Sequence, residues 1–282
     1  MSDKTTFVRA LRPFSLIVAI ATCGLGVSLA LVEGSHNTLL AGLVIFTGVL
    51  LQIAVNLIND HRDLTSHQFT QAQKQAIKRN TRVGMLVMLV AIFLGFYMVS
   101  IRGWPLLLLG ILGVFGAWGY TGGQINYKQR GLGILFVFLF MGVLLIGGSY
   151  YVVAGDFHWN IFCLSLPFSL LSSLLLLSNE LRDYEEDLAA GIKTLSVRLG
   201  YKNGVKLYYW LVALVYLISA LLYQAEILPG LGLLLVTVIV LWQPLKLLNA
   251  PQNQRIPLTP LTGRFYLSFS LAYIITIWIP QF

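Results

Sequence analysis

Residues 174–200 read LLLLSNELRDYEEDLAAGIKTLSVRLG, and they pass from an apolar run to a cluster of acids within a few positions. The chain of 282 residues has only eleven Asp and Glu residues, and five of them lie in this stretch. They are Glu180, Asp183, Glu185, Glu186 and Asp187. Carboxylates brought this close together repel one another unless cations compensate their charge. The stretch therefore predicts an apolar helix with a cation site at its end.

The composition indicates a membrane protein. Hydrophobic residues make up 57% of the chain and charged residues only 11%, whereas about a quarter of the residues in an average soluble protein are charged. The net charge of +8 is carried by short loops between apolar runs. That pattern is typical of a protein surrounded by membrane lipid rather than bound to nucleic acid. Cys23 and Cys163 lie inside apolar runs, so we expect buried thiols and no disulfide.

The apolar runs predict the fold class. A bilayer core requires a helix of roughly 20 apolar residues, and nine runs are long enough. They lie at about 14–33, 38–58, 83–101, 104–121, 132–154, 160–180, 207–224, 229–248 and 264–282. Backbone polar groups must be paired inside lipid, so runs this long suit helices rather than barrel strands. We expect an all-α membrane protein with nine transmembrane helices.

The basic residues predict the orientation of these helices. If the N-terminus lies in the cytoplasm, 18 of the 19 Lys and Arg residues fall on the cytoplasmic side, and Arg102 alone lies outside. This asymmetry follows the positive-inside rule. We expect an integral, multi-pass protein of the bacterial inner membrane whose N-terminus and active-site loops are cytoplasmic. The outer loops contain His36 and His158, which we expect to be ordinary solvated residues.

Two spans end in related acid motifs. Span two ends LQIAVNLINDHRDLTSHQ and span six ends LLLLSNELRDYEEDLAAG, so that Asn59 aligns with Asn179, 120 residues later. The alignment pairs Asp60 with Glu180, Asp63 with Asp183, and His67 with Asp187. It predicts one domain over 1–282 with two four-helix pseudo-repeats, about 1–130 and 131–250, and a ninth helix at 264–282. Repeats in membrane proteins commonly meet at a central site, so the motifs should face each other across a cavity.

The spacing within each motif suits a metal site. An Asn followed by acids four and eight positions later places three oxygen-bearing side chains on one helical face. Mg²⁺ takes oxygen ligands and commonly shares carboxylates with substrate phosphates. The expected metal ligands are Asp60, Asp63, Asp183 and Asp187. Solvated helix ends are the simpler alternative, but seven of the eleven acids fall in the two motifs. Glu185 and Glu186 point away from the stripe, and for them we expect solvent exposure.

These motifs resemble those of the UbiA superfamily of intramembrane prenyltransferases, and among its branches the 1,4-dihydroxy-2-naphthoate prenyltransferases of menaquinone synthesis. The likeness lies in NDHRD, in YTGGQINYKQRGLG followed by FLFMGVLLIGGSYY, and in NELRDYEEDLAAGIKTLSVRLG. The chain departs from the pattern at His67, where many members have Asp, and at Ile134, where the naphthoate branch usually has an acid. The resemblance implies Mg²⁺-dependent transfer of a prenyl group from a prenyl diphosphate to an aromatic quinone precursor.

The resemblance also implies roles for single residues. Catalysis would involve Asp63, Asp183, Asp187 and Tyr120. Substrate binding would involve Asn59, Asn179, Lys193, Arg130 and Arg198. The basic residues have an alternative role as anchors to anionic lipid, and tyrosines near an interface often have no role beyond the aromatic belt. Further aromatic candidates are Tyr127, Tyr150 and Tyr151, while the glycines at 110, 113, 116 and 119 suit helix packing.

Two other functions fit parts of the sequence. A secondary transporter also has internal repeats and intramembrane acids, but it predicts acids at mid-span and matched helix breaks in both halves. Here the acids lie at helix ends, and the prolines within the spans do not match. A prenyltransferase could instead act on another acceptor, in the synthesis of another quinone, haem, chlorophyll or a terpenoid. An inactive relative that lost an acid at position 67 is a further alternative.

Overall fold

The computed structural model describes residues 6–61, 70–121 and 126–279. Every regular element in these parts of the chain is helical. The α-helices are α1 Phe7–Ala10, α2 Pro13–Val32, α3 Thr38–Asn59, α4 Gln71–Arg102, α5 Trp104–Thr121, α6 Gly133–Phe136, α7 Leu145–Ala154, α8 Trp159–Arg182, α9 Tyr184–Ala189, α10 Leu195–Leu199, α11 Tyr201–Gln224, α12 Gly232–Val236, α13 Val238–Leu247 and α14 Leu258–Ile277. A π-helical segment, Val137–Leu144, joins α6 to α7, and a 3-10 turn, Gln252–Gln254, precedes α14.

The long helices indicate an integral, multi-pass membrane protein. Six helical segments of the described chain are long and apolar enough to cross a bilayer. They are Ser15–Val32, Thr38–Asn59, Gln71–Arg102, Gly133–Ala154, Trp159–Arg182 and Tyr201–Gln224. Shorter apolar helices lie at Trp104–Gly116 and Gly232–Leu247. The all-helical class is therefore confirmed, whereas a total of nine crossings stays a prediction.

Three helices begin six or more residues earlier than the apolar runs predict: α4, α14 and also α11, which starts at Tyr201 rather than at residue 207. The third predicted span starts at residue 83, but α4 starts at Gln71, where Thr70 and Gln73 form a reciprocal capping box. The ninth predicted span covers 264–282, but α14 covers Leu258–Ile277. Its first two residues, Leu258 and Thr259, are buried, and Thr262 in the next turn shares a hydrogen bond with Tyr208 at an oxygen–oxygen distance of 2.8 Å. Polar residues that a helix caps or buries are invisible to a search for apolar runs.

Helix α8 lies at the centre of the bundle. It packs against α11, the π-helical segment, α14, α7 and α2. Four of its buried serines bond to backbone carbonyls, and among them Ser173 Oγ donates to the carbonyl of Ile134 at 3.0 Å. Gly142 of the π-helical segment lies so close that a Cβ there would be 2.2 Å from Ser169 Oγ. Small side chains thus allow the two backbones to approach, as is common between membrane helices.

Large apolar side chains cover the outside of the bundle. Phe93 of α4 and Trp242 of α13 are 74% and 75% exposed, and many neighbours on the same helices are exposed as well. A protein in water rarely exposes contiguous apolar surface of this kind. The surface is therefore suited to contact with lipid chains.

The helix ends fall into two groups. Tyr150 of α7 donates a hydrogen bond to Glu33 after α2, so the end of α7 and the start of α8 lie beside the end of α2. We call this the opposite end. A helix of 24 residues such as α8 is about 36 Å long, so Asp183 after α8 lies at the other end, together with the start of α2. There Arg12 pairs with Asp60, and we call it the motif end.

Candidate active site

The second acid motif straddles a break between two helices. Asp183 ends α8 and immediately precedes α9, with φ −95° and ψ 10° outside regular helical values. The amide N–H of Asp187 donates to the carbonyl of Asp183 at 2.8 Å, so the two carboxylates lie one turn apart, as their spacing predicts. Arg182 holds the Asp183 carboxylate through Nε and Nη2 at 2.6 and 2.5 Å. Asn179 is half-buried one turn earlier on α8.

Asp187 is a half-buried carboxylate whose charge is only partly compensated. Burial is the main cause that raises the pKa of Asp187 above its usual value, and repulsion from Asp183 and Glu186 raises it further. The positive charges of Lys128 and Arg182 act in the opposite direction. Among the described residues, none forms a hydrogen bond or an ion pair with the Asp187 side chain. A cation beside it would relieve the repulsion.

The other acids near α9 have structural partners. Glu180 is buried, and its Oε2 accepts a hydrogen bond from the backbone N–H of Ser196 at 3.0 Å. Glu185 pairs with the buried Arg255. The expectation that Glu185 is simply solvated is wrong, because Arg255 comes from a distant part of the chain that the spacing of the acids does not reveal. Glu186 is exposed, as expected.

The structure describes the first acid motif only as far as residue 61, which includes Asn59 and Asp60. Asp60 ends α3 and is 17% exposed, and its Oδ1 accepts a hydrogen bond from Arg12 Nη2 at 2.7 Å. Asn59 is half-buried at the last position of α3. Asp63 and His67 lie outside the described residues. The facing arrangement of the two motifs therefore stays a prediction.

A buried amide fixes the chain before α2 to the end of α3. Asn56 Nδ2 donates to the carbonyl of Leu11 at 2.8 Å and to Ser15 Oγ at 2.7 Å. Between these two residues, Arg12 adopts a left-handed backbone with φ 49°, a conformation uncommon for a residue other than glycine. The two hydrogen bonds of Asn56 and the ion pair with Asp60 hold Arg12 in this conformation.

Two loops at the motif end carry the predicted phosphate-binding residues. The backbone N–H of Lys193 donates to Gln129 Oε1 at 3.1 Å. Arg198 donates through Nε to the carbonyl of Lys193 at 3.1 Å and through Nη2 to the carbonyl of Gln129 at 2.8 Å. Lys193, Arg198 and Arg130 are all exposed. Arg198 thus joins the two loops, and the predicted contacts of these three residues with phosphate stay predictions.

A row of aromatic rings lies next to these loops. Tyr127 stacks on Phe136 with ring centroids 3.5 Å apart, and Phe136 stacks on Phe140 at 5.5 Å. The row packs on α5, where a Cβ at Gly119 would lie 2.5 Å from the Tyr127 ring and one at Gly116 would lie 2.7 Å from Phe140. The packing role predicted for the glycines is confirmed at these two positions. The side chain of Tyr120 lies outside what the structure describes.

Two other candidate tyrosines lie away from the acids. Tyr150 bonds to Glu33 at the opposite end, and Tyr151 Oη donates to the carbonyl of Arg102 at 3.0 Å. The interpretation that they form a pocket with the acid motifs is wrong, because α7 ends beside the start of α8. A cavity of about 420 Å³ lies there, lined by Glu33, Ser35, Tyr150, Ala154, Asp156, His158 and Asn160. His158 is exposed, as expected, and lies 3.3 Å from Asp156.

Comparison with known proteins identifies the family. The model of the UbiA prenyltransferase family matches residues 18–269. The chain belongs to this family. It is similar to the 1,4-dihydroxy-2-naphthoate octaprenyltransferase of Escherichia coli (strain K12), with 34% identity over 226 residues, 72% of this chain and 71% of that protein. The octaprenyltransferase of the same description from Bacillus subtilis (strain 168) is 28% identical over 222 residues, 72% of this chain and 71% of that protein.

Solved structures of UbiA proteins share the fold. A UbiA homolog from Archaeoglobus fulgidus bound to GPP and Mg²⁺ superposes with a TM-score of 0.64 and 15% identity, covering 95% of this chain and 99% of that one. As a UbiA family member, the chain is an enzyme, a prenyltransferase. Several of its relatives in sequence are 1,4-dihydroxy-2-naphthoate octaprenyltransferases, the branch that the motifs predict.

The acids of this UbiA protein suit Mg²⁺ in their donor chemistry. In the described ranges, no group of three or more His, Cys, Asp or Glu side chains is arranged to hold a metal ion. Mg²⁺ needs no such cage, because it usually takes one or two carboxylates and completes its shell with water and substrate phosphates. Asp183 and Asp187 offer such carboxylates one turn apart, and burial, followed by repulsion from Asp183 and Glu186, raises the pKa of Asp187. A cation would offset both effects. The residues present fit the ion.

Sequence reasoning missed Lys128. It is half-buried in the turn after α5, and its charge acts on both Asp187 and Glu180. In the sequence it is one of two basic residues that follow span four, and nothing there distinguishes it from a lipid anchor. Only the fold, which brings the loop after α5 to the end of α8, reveals it.

Proposed function

We propose that this UbiA protein transfers a prenyl group from a prenyl diphosphate to a hydroxylated aromatic acid, a quinone precursor, in a Mg²⁺-dependent reaction. The observation that carries the proposal is the acid motif at Asp183 and Asp187, set beside Lys128 at the polar end of an apolar bundle. The donor and acceptor follow those of similar proteins: naphthoate octaprenyltransferases, and a structural neighbour bound to GPP and Mg²⁺.

The acids would hold the cation that the diphosphate requires. Asp183 and Asp187 from motif two, with Asp60 and Asp63 from motif one, are the proposed Mg²⁺ ligands, and Asn59 and Asn179 add amide oxygens beside them. When bound, Mg²⁺ neutralises and aligns a leaving diphosphate. In the structure Asp183 and Asp60 are each paired with an arginine. These pairs keep the carboxylates oriented while no substrate is present.

The basic side chains would bind the diphosphate oxygens. Negative charge accumulates on the diphosphate as the bond to the allylic carbon stretches, and donors held in place stabilise it. Lys128 is best placed for this, since its charge already acts on Asp187. Lys193 is exposed on the adjacent loop and free to turn towards the same oxygens. Arg198 would act mainly by joining the loops, and Arg130 would contribute a further positive charge.

The allylic carbon requires a dry, electron-rich pocket. An aromatic face stabilises a nearby cation by roughly 0.5–2 kcal/mol. Tyr127, Phe136 and Phe140 form such a row next to Lys128, and we propose that Tyr120 adds a further ring. The aromatic acceptor attacks the allylic carbon through a ring carbon made nucleophilic by its hydroxyl groups, and the proton lost from that carbon passes to the leaving diphosphate. The prenyl tail would extend between helices into the lipid.

We also propose the full topology. Three further crossings, formed by α5, by α12 with α13, and by α14, would bring the six long apolar helices to nine. These nine would form two four-helix repeats, about 1–130 and 131–250, and a ninth helix. The repeats would meet at the cavity between the two acid motifs. The motif end would face the cytoplasm, where the prenyl diphosphate is available, and the N-terminus would lie on the same side.

A product assay tests the proposal. Membranes containing the protein are incubated with Mg²⁺, labelled geranylgeranyl diphosphate and a panel of hydroxylated naphthoates and benzoates, and the lipid extract is analysed by mass spectrometry. We expect a prenylated naphthoate-derived product whose formation stops when Mg²⁺ is chelated. Asp183→Asn and Asp187→Asn should each lower the rate at least about 100-fold, because a metal ligand is lost.

Asp156→Asn is the matched control, since it neutralises an acid at the opposite end and should leave the rate unchanged. Wild-type turnover in Asp183→Asn would contradict the proposed role of the motif in metal binding. No prenylated product from the wild-type protein with any acceptor would remove the proposed reaction.

A further inference from the structure

The connection between α13 and α14 contains a buried arginine whose contacts surround the second acid motif. Arg255 is only 4% exposed, and arginines are rarely buried unless their charge is paired. Its Nη1 donates to the carbonyl of Leu181 at 3.1 Å, and its Nη2 donates to Glu185 Oε1. Leu181 precedes Asp183 by two residues, and Glu185 follows it by two. Arg255 therefore spans the break at which Asp183 lies.

An aromatic platform fixes the guanidinium in this position. The Arg255 Cζ lies 4.3 Å from the centroid of the Tyr201 ring, a distance typical of a cation–π contact. Tyr201 in turn donates through Oη to the carbonyl of Leu248 at 2.7 Å, and its ring meets the edge of Tyr184 at 5.4 Å. The arginine is thus held on one side by α11 and the end of α13, while its donors reach α8 and α9.

The contacts of Arg255 matter because the helix is interrupted at Asp183, between α8 and α9. Residues within one helix keep their relative positions through continuous backbone hydrogen bonds, but the backbone leaves helical geometry at Asp183. The angle between α8 and α9 therefore depends on what holds α9 from outside. Arg255 binds a carbonyl in the last turn of α8, where unpaired carbonyls favour a cation, and a carboxylate in the first turn of α9. The one guanidinium fixes both sides of the break.

We propose that Arg255 is a positioning residue for the metal site: it sets the angle between α8 and α9, and with it the position of Asp183 and Asp187 relative to Asn179 on α8. The inference rests on the proposed function for the identity of the metal ion, but not for the geometry. Arg255 touches neither Asp183 nor Asp187 and has no direct part in the reaction. It acts through Glu185 and the Leu181 carbonyl.

The test compares Arg255→Met, Glu185→Gln and a matched control, Arg102→Gln. Arg102 also donates to two backbone carbonyls, those of Val152 and Val153, but at the opposite end. Glu185→Gln keeps the size of the side chain and removes only its charge, so it serves where Arg255→Met folds poorly. Each protein is purified in lipid nanodiscs, and its thermal unfolding is recorded.

Two readouts separate positioning from general stability. Hydrogen–deuterium exchange of residues 184–190 reports whether α9 is held, and it requires no turnover. The Mg²⁺ concentration for half-maximal turnover, together with Mn²⁺ binding in the presence of inorganic diphosphate measured by electron paramagnetic resonance, reports the metal site. We expect faster exchange in Arg255→Met and a metal affinity about 10–100-fold weaker, the loss typical when a residue that orients the ligands from outside is removed. Glu185→Gln should shift both readouts less, and Arg102→Gln should shift neither.

Faster exchange with unchanged metal affinity would overturn the inference and leave Arg255 a purely structural residue. Unchanged exchange would overturn it as well. If the wild-type protein makes no prenylated product, the proposed function fails, but Mn²⁺ binding and exchange still decide the role of Arg255. A double variant, Arg255→Met with Glu185→Gln, should be no weaker in metal binding than Arg255→Met alone, because residues that act through one contact are not additive.

Discussion

Lys128 and Asp187 are the two opposite charges that the fold brings together at the motif end. Lys128 has no acid close to it along the chain, and the only basic residue close to Asp187 along the chain is Arg182. Their attraction only partly offsets the burial of Asp187 and the repulsion from Asp183 and Glu186. A site with surplus negative charge and one adjacent lysine can take up a divalent cation and then the diphosphate that follows it. Lys128 would pair with Asp187 before the substrate binds and with the diphosphate afterwards.

Replacing Lys128 with Met should weaken catalysis without unfolding the protein. A charge-assisted hydrogen bond to phosphate contributes roughly 1.5–3 kcal/mol, so we expect kcat/KM for the prenyl diphosphate to fall about 10–100-fold. The KM for the aromatic acceptor should change little, since the lysine has no proposed contact with it. Steady-state kinetics in nanodiscs measures both constants.

Lys202→Met is the control for this variant. Lys202 is exposed at the start of α11, at the same end of the bundle, so it shares any general attraction of the surface for anions. An equal loss in Lys202→Met would show that Lys128 acts only through the overall positive charge of this surface.

At the scale of the elements, helix α5 positions the aromatic row through two glycines. Gly116 and Gly119 leave no space for a side chain, whereas a Cβ at Gly113 would meet no atom within 4 Å. The backbone N–H of Tyr127 also donates to the carbonyl of Gly119 at 3.0 Å. The turn that carries Lys128 is therefore placed by direct contact with α5.

Gly119→Ala should displace Tyr127 and, with it, Lys128. Overpacking of this kind costs typically 1–3 kcal/mol, so we expect a lower unfolding temperature together with a raised KM for the prenyl diphosphate. Gly113→Ala makes the same chemical change in the same helix and should alter neither quantity. Thermal unfolding and kinetics of the two variants check the expectation. A normal KM in Gly119→Ala would show that α5 does not position the loop.

The elements also show which parts of the fold a sequence reveals. Apolar runs marked the long helices well, because lipid demands continuous apolar surface. They did not mark the polar first turns of α4, which its capping box stabilises, or the π-helical segment Val137–Leu144, whose residues differ in no obvious way from an α-helix. The four-residue spacing correctly predicted that Asp187 lies one turn after Asp183, but the prediction of one continuous helical face from Asn179 to Asp187 is wrong, because α8 ends at Arg182. Lys128, Arg255 and the pairing of Glu185 depend on contacts between distant segments, and no local pattern contains them.

The whole molecule has two chemically different ends. The motif end gathers the second acid motif, the start of the first, and loops rich in Lys and Arg that Arg198 and Arg255 join to one another. The opposite end has few basic residues, and one of its polar contacts joins Tyr150 to Glu33. A prenyl diphosphate has the same division, with a charged head and an apolar tail. In the proposed reaction the polar end would bind the head, and the tail would lie along the lipid-facing bundle.

This division makes the orientation in the membrane the last prediction. Lys and Arg near the ends of spans are retained on the cytoplasmic side, so the motif end should be cytoplasmic and the opposite end should face outward. Single cysteines are introduced at Ser35, at the opposite end, and at Lys202, at the motif end, in a background where Cys23 and Cys163 are replaced by Ala. A membrane-impermeant thiol reagent should label Ser35→Cys in intact cells and Lys202→Cys only after the membrane is opened. The reverse pattern would place the acid motifs outside, away from cytoplasmic prenyl diphosphate, and would contradict the proposed reaction along with the orientation.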